Sequence, residues 1–356
     1  MEQNNRQKTD KLFSLINSLE QYRTLSLTEY EYLITHRCPE AAHILSEKAS
    51  RICRRIYGNA IYIRGLIEIS NFCKNDCLYC GIRRSSRNCD RYRLTADDIL
   101  QCCEEGHALG FRTFVLQSGE DSFFTDDVMC DIIRNIKKRY PDCAVTLSLG
   151  ERSRSSYQAL FDAGADRYLL RHETADEEHY KMLHPPEMSY ANRMQCLQEL
   201  REIGYQVGCG FMIGSPYQTA AALAQDLKFI ETFQPDMCGI GPFIPHAATP
   251  FRHMPAGDAE LTCYLLSLIR LIHPRVLLPA TTALGTIDPD GREKGILAGA
   301  NVIMPNLSPF SVRRKYELYN NKACTGNESA QNKDFLSQRM EAIGYEIVTC
   351  RGDIKR

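Results

Sequence analysis

Three cysteine thiols crowd into the run Cys73-Lys74-Asn75-Asp76-Cys77-Leu78-Tyr79-Cys80. Thiolates spaced C-x3-C-x2-C can bend around one cubic iron–sulfur cluster and occupy three of its four irons. The motif supplies no further thiol, so the remaining iron is open to a small-molecule ligand. The competing reading is a structural zinc site, which four ligands normally close, commonly in two pairs. The nearest spare thiol is Cys89, and no second C-x2-C occurs in the chain. A disulfide reading fares worse, because three close thiols cannot pair off evenly.

Other residues with chemical potential sit where apolar runs end. Gln117-Ser118-Gly119-Glu120-Asp121 follows one such run, with a glycine that lets backbone approach a ligand closely. Thr146 and Ser148 are two apart and share a strand face, and buried hydroxyls there need partners that a cofactor would supply. Arg171 and Glu173 also share a face; the carboxylate could accept from an ammonium and the guanidinium could clamp a carboxylate. Arg193, on the following helix, could reach the same place. Taken singly, each of these is more simply a solvated charge or a capping hydroxyl, and their recurrence at several strand ends favours a shared site. Gly239-Ile240-Gly241-Pro242-Phe243 and Thr281-Thr282 mark two further ends, where turn and ligand readings weigh equally. His172 and His246 receive no role.

The elements that must position these residues follow from periodicity. Residues 9–57 carry apolar positions such as Leu12, Leu15, Ile16 and Leu19 at helical spacing, with Ser26 or Thr28 as a helix cap. Residues 60–69 read as a strand, so the cysteine loop leaves a strand's C-terminal end. Further strands are expected at 113–117, 144–149, 167–171, 206–212, 236–240, 276–281 and 301–304, with helical patterns in every gap. Such βα repeats predict an α/β fold: a complete (βα)8 TIM-type barrel with an N-terminal helical extension and its site at the strands' C-terminal ends. Pro279 is an objection to the seventh strand, since proline removes a ladder donor, and a doubly wound open sheet fits the pattern as well. The expected organisation is a helical extension at 1–58, a barrel at 59–320 and a tail at 321–356 packing on the barrel.

Composition narrows the class. Of 356 residues, 44% are hydrophobic and 24% charged, an ordinary globular balance, and the net charge of −1 gives no reason to expect nucleic acid or a membrane surface as partner. No apolar run approaches the roughly 20 residues that span a bilayer, and no secretion signal is expected from Met1-Glu2-Gln3-Asn4-Asn5-Arg6. The 16 cysteines are scattered mostly singly, as in a reducing cytoplasm where free Cys is a small buried hydrophobe.

From about residue 60 to 320 the chain resembles the HydE family, the radical S-adenosylmethionine (SAM) maturases of FeFe hydrogenases. The resemblance is carried by Cys73 to Arg84, Leu116-Gln117-Ser118-Gly119-Glu120-Asp121, Thr146 to Glu151, Asp166 to Ala175, Gly239 to His246, Pro279 to Ala283 and Val302-Ile303-Met304-Pro305-Asn306. It implies a 4Fe–4S cluster on Cys73, Cys77 and Cys80, with SAM chelating the open iron. It carries SAM contacts over to Ser148, Glu173 and Arg193, with Gln117 and Thr146 beside them. The family's anion and substrate pocket falls on Arg171, Thr281 and Thr282, with Tyr316 and Tyr319 as lining. The implied activity is reductive cleavage of SAM to a 5′-deoxyadenosyl radical, an oxygen-sensitive chemistry. Its implied substrate is a cysteine-bound iron carbonyl–cyanide complex delivered by another maturase, and its electrons come from a donor such as a ferredoxin or flavodoxin. Some family members carry a second cluster motif near the C-terminus. Here Cys324 stands without a C-x2-C, so a single cluster is expected and Cys324 is expected to be dispensable. The alternatives are a methylornithine synthase-like or biotin synthase-like enzyme, or a non-catalytic iron–sulfur scaffold.

Overall fold

The computed structural model describes residues 2–323 and 329–356, with side chains from residue 7 onward, so Cys324 lies outside the described residues. Helices α1 (Glu2–Tyr22), α2 (Leu27–Thr35) and α3 (Pro39–Tyr57) come first. Ser26 caps α2 through a reciprocal pair with Glu29, two orphan amides of the first turn being satisfied at once. Of the two caps considered from sequence, Ser26 is the one used.

Strands and helices then alternate: β1 (Ala60–Ile63), β2 (Gly65–Ser70), α4 (Ala96–Ala108), β3 (Thr113–Ser118), α5 (Asp126–Arg139), β4 (Ala144–Ser148), α6 (Arg154–Asp162) and β5 (Arg167–Leu169). Next are α7 (Glu177–Leu183), α8 (Tyr190–Ile203), β6 (Gln206–Cys209), β7 (Met212–Ile213), α9 (Ala220–Phe233), β8 (Met237–Cys238), β9 (Gly241–Pro242) and α10 (Ala259–Ile272). The chain ends through α11 (Thr282–Ile287), α12 (Gly291–Leu297), β10 (Val302–Ile303), α13 (Phe310–Arg313), α14 (Lys333–Ala342) and β11 (Glu346–Val348).

A six-stranded parallel sheet runs β2-β3-β4-β5-β6-β8, and a second runs β10-β1-β11, also parallel. Isolated parallel bridges join Met237 to Leu277, Pro279 to Val302 and Leu66 to Asn306. The strand expected at 276–281 is therefore reduced to bridges at Leu277 and Pro279, in keeping with the donor that Pro279 lacks. The run expected as one strand at 206–212 breaks into β6 and β7. At the break Gly210 has φ +155°, and a Cβ there would lie 2.0 Å from the Gly239 carbonyl oxygen. Only glycine lets the two backbones meet so closely.

The strands read as apolar runs because they are covered on both sides. On one face Ile67, Ile69, Leu116, Val145, Leu147, Tyr168 and Val207 are fully buried, and on the opposite face Leu66, Val115 and Thr146 are nearly so. Amphipathic helices such as α5, with Met129, Ile132, Ile133 and Ile136 inward, form the outer layer. The N-terminal helices join this layer, α3 packing on α10 and α2 on α9. At the opposite end from the cysteine loop, the final residues are drawn in by Arg167, which donates to the Arg351 carbonyl and Asp353 Oδ1.

Candidate active site

The cysteine loop follows β2, and its conformation is built by short polar contacts. Asp76 accepts from Arg83 Nε at 2.7 Å, from the Ser85 N–H at 3.0 Å and from Ser85 Oγ at 2.7 Å. The Arg83 guanidinium, ahead of the opposing effect of burial, holds this carboxyl well below the usual carboxylate range. The Lys74 N–H donates to the Glu120 carbonyl at 3.0 Å, Leu78 N–H to Leu183 at 3.0 Å and Gly81 N–H to Leu318 at 2.8 Å. Three separate segments thus clamp the loop from outside.

Cys73, Cys77 and Cys80 all line a cavity of about 340 Å³ that continues into the sheet's interior. Burial pushes the Cys80 thiol up to about 12, with Cys73 adding to it; burial and the Cys80 and Cys73 thiols likewise push Cys77 well up. Three half-buried thiols whose surroundings all oppose ionisation become thiolates most readily around a cationic guest, which is what a cluster's irons provide.

The remaining lining is ordered by strand. Gln117 at the end of β3 reaches the Tyr316 hydroxyl with Nε2 at 3.4 Å. Thr146 is buried in β4 with its hydroxyl oxygen unpartnered, and Ser148 lies beyond it at the strand end. After β5, Arg171 Nη2 approaches Glu173 Oε2 at 3.4 Å, and neither atom has a hydrogen-bond partner; Arg171 Nε is unpartnered too. Glu173 itself has φ +67°, the left-handed region that a side chain rarely adopts. Arg193, from α8, donates through Nε to Glu151 and through Nη1 to the Arg171 carbonyl at 2.6 Å. Buried polar atoms without partners are uncommon in a finished protein. Their concentration around one cavity, beside three thiols, fits a polar guest with amine, carboxylate and hydroxyl groups such as SAM.

Thr281 lines the cavity and caps α11, accepting the Leu284 N–H at 3.5 Å. Thr282 does not line it. It is the first residue of α11, so the chain has already turned into the helix. Tyr316 and Tyr319 both line the cavity, and Tyr316 is almost fully buried.

Sequence reasoning missed several lining or supporting groups. Tyr79, between the last two cysteines, is inside the cavity wall and its hydroxyl donates to His184 Nε2 at 3.1 Å. That direction follows because His184 Nδ1 is spent on the Tyr180 carbonyl at 2.9 Å, and burial followed by the Arg193 charge holds this ring neutral, pushed down to about 3. Its sequence signal was the aromatic before Cys80. Arg64, between β1 and β2, also borders the cavity at its deep end. Glu68 is fully buried in β2, paired with Lys322 and accepting from Asn306 Nδ2 at 2.9 Å. No local pattern marks Glu68 or Arg64, because each breaks the apolar run that surrounds it.

A parallel βα sheet whose first long loop offers three thiols to a largely apolar cavity with a few convergent polar groups is the architecture of a radical SAM enzyme. Residues 67–230 match the model of the radical SAM superfamily. The chain is 45% identical over 300 residues to the FeFe hydrogenase maturase subunit HydE of Thermotoga maritima, covering 84% of this chain and 85% of that one. It is 25% identical over 324 residues to 3-methylornithine synthase of Methanosarcina acetivorans, with 90% of each covered. Among solved structures, methylornithine synthase matches with TM-score 0.83 at 22% identity, over 94% of this chain and 97% of that one. The maturase HydG matches with TM-score 0.80 at 20% identity, over 98% and 79%. At such identities the two structures speak for the fold alone. The chain belongs to the HydE family of the radical SAM superfamily, and its cofactors are a 4Fe–4S cluster and SAM.

Proposed function

We propose that this protein cleaves SAM reductively and acts in building the di-iron subcluster of FeFe hydrogenase, as its relatedness to the HydE maturase suggests. The observation that carries the reading is the meeting of Cys73, Cys77 and Cys80 with the unpartnered atoms of Thr146, Arg171 and Glu173 in one cavity. The bridges at Leu277, Pro279 and Asn306 support closure of the strands into a complete (βα)8 barrel. Residues 1–58 then form a helical extension, 59–320 the barrel and 321–356 a tail packed on it. A cytoplasmic setting is consistent with the absence, among the described residues, of a helix long and apolar enough to cross a membrane.

Cys73, Cys77 and Cys80 would hold the cluster, leaving its fourth iron to SAM. Together these groups supply one-electron cleavage of a carbon–sulfur bond and hence a 5′-deoxyadenosyl radical. The chain positions and shields. Glu173 accepts from the SAM ammonium, Arg193 faces its carboxylate, and Ser148, with Gln117 and Thr146, serves the remaining polar groups. Arg193 is rigidly set for this by Glu151 and the Arg171 carbonyl. Arg171 and Thr281 hold an anionic substrate, here a cysteine-bound iron carbonyl–cyanide complex, with Tyr316 and Tyr319 as lining. Thr282 is left out of this set because it does not border the cavity. Another maturase would supply the substrate, and a ferredoxin or flavodoxin the electrons.

The test is a division of labour. Glu173→Gln and Arg193→Ala are expected to weaken SAM binding by about tenfold or more, a loss of one charge-assisted contact each. Arg171→Ala is expected to keep SAM affinity and uncoupled cleavage while abolishing hydrogenase maturation. Equal loss of SAM affinity in Arg171→Ala and Glu173→Gln refutes the assignment. A reconstituted protein that binds a cluster yet never turns over SAM would instead be a scaffold.

A further inference from the structure

Glu173 occupies the left-handed backbone region at φ +67°, which a non-glycine residue adopts rarely and mainly where its surroundings hold it there. The forcing contacts converge on one residue from another element. Asp226 in α9 is fully buried and accepts with Oδ1 from His172 Nε2 at 3.2 Å and from the Ala175 N–H at 2.6 Å. The two donors come from either side of residue 173. His172 is oriented in turn by the Gly210 N–H, which donates to Nδ1 at 3.3 Å, so the ring proton sits on Nε2 and faces Asp226. The Phe211 and Phe229 rings enclose the imidazole at centroid distances of 5.6 and 4.6 Å. Glu173 N–H is tied to the Gly210 carbonyl at 3.0 Å, which fixes the near edge of the same turn.

We propose that Asp226 and His172 are positioning residues for SAM recognition: Asp226 staples the chain on both sides of Glu173, holds it left-handed, and so aims its carboxylate into the cavity. The inference rests on the reading of Glu173 as the acceptor of the SAM ammonium. A buried polar pair that merely satisfied itself in the core would have no need to bridge residues 172 and 175 across a strained one. Asp226 Oδ1 takes both donors of this segment, while Asp226 Oδ2 has no hydrogen-bond partner and His172 Nδ1 accepts from Gly210. Burial, followed by the nearby Arg171 and Arg193 charges, pushes His172 down to about 3, which keeps its ring neutral, and burial pushes the Asp226 carboxyl well up. Neither residue borders the cavity, so their effect must pass through the backbone.

The experiment compares SAM with 5′-deoxyadenosine, which lacks the amino-acid group, as ligands of the anaerobically reconstituted protein. Asp226→Ala is expected to lower SAM affinity by about tenfold or more while changing 5′-deoxyadenosine affinity less than about twofold, at unchanged iron content. Asp226→Asn keeps an acceptor oxygen for both donors and is expected to rescue SAM binding to within about threefold of wild type. Should Asp226→Ala not accumulate as folded protein, His172→Phe removes one arm of the staple and is read in the same way. Unchanged SAM affinity, or equal loss of both ligands, overturns the proposal. A crystal structure of Asp226→Ala separates this failure from that of the underlying reading. Residue 173 still left-handed there overturns the staple. Wild-type SAM affinity in Glu173→Gln, with residue 173 released in Asp226→Ala, overturns only the role given to the carboxylate.

Discussion

Gly119 presses against the cysteine loop, and replacing it by alanine is a direct probe of how tightly the first ligand is placed. A Cβ at residue 119 would lie 2.3 Å from the Phe72 carbonyl oxygen, 2.7 Å from Cys73 Cβ and 3.0 Å from the Phe72 carbonyl carbon. Two of those atoms are backbone and the third belongs to a ligand, so no flexible side chain can swing aside. Ordinary contact distances near 3.5 Å require the loop to retreat by roughly 1 Å. Retreat is resisted on both sides of residue 119, where Gly119 N–H donates to the Ser70 carbonyl at 3.3 Å and Glu120 accepts from Lys74 at 3.0 Å. Overpacking of this kind costs about 1–3 kcal/mol. A metal site tolerates ligand displacements of only about 0.2 Å, several times less than the shift demanded. Gly119→Ala is therefore expected to fold with a modestly lowered melting temperature and to retain well under the wild-type iron per chain after anaerobic reconstitution. Iron analysis and the cluster's visible absorption measure this. Full iron content with an unaltered spectroscopic response to SAM would refute the reasoning.

Two further outcomes test the loop and the tail. Lys322→Met strands the fully buried Glu68 carboxylate with only Asn306 for company, and is expected to destabilise the cluster-free protein by about 3–5 kcal/mol in urea unfolding. Glu68→Gln in the same chain should recover much of that loss, and no recovery would show that the charge was not the cause. Asp76, held below the usual range chiefly by Arg83, stabilises the loop fully above an unfolded value of about 3.9 and ceases to do so as pH falls through its lower folded value. Melting temperatures of the cluster-free protein taken from neutral pH into strong acid should fall more steeply for wild type than for Asp76→Asn; parallel profiles would remove Asp76 as a source of acid lability.

Much of the site was legible because its chemistry is local in sequence. Cys73, Cys77 and Cys80 lie on one short loop, so their spacing alone marked them as the candidate cluster ligands. The pair Thr146 with Ser148 follows from strand alternation in β4, and most strands from apolar runs. Arg171 and Glu173 lie past the end of β5, and the left-handed turn at Glu173, not alternation, sets where they meet. Even Pro279 correctly warned of the weakest strand, now two bridges. What no local pattern could supply are contacts between distant residues. His172 received no role from sequence, because its partner Asp226 stands 54 residues away on α9. The Lys322–Glu68 pair spans 254 residues. Thr282 shares its chemistry with Thr281, and only the start of α11 decided that one borders the cavity and the other does not. Candidate ligands and apolar strand runs show in spacing along the chain, whereas strain, buried charge pairs and the residues that support them exist only once separate elements have been packed together.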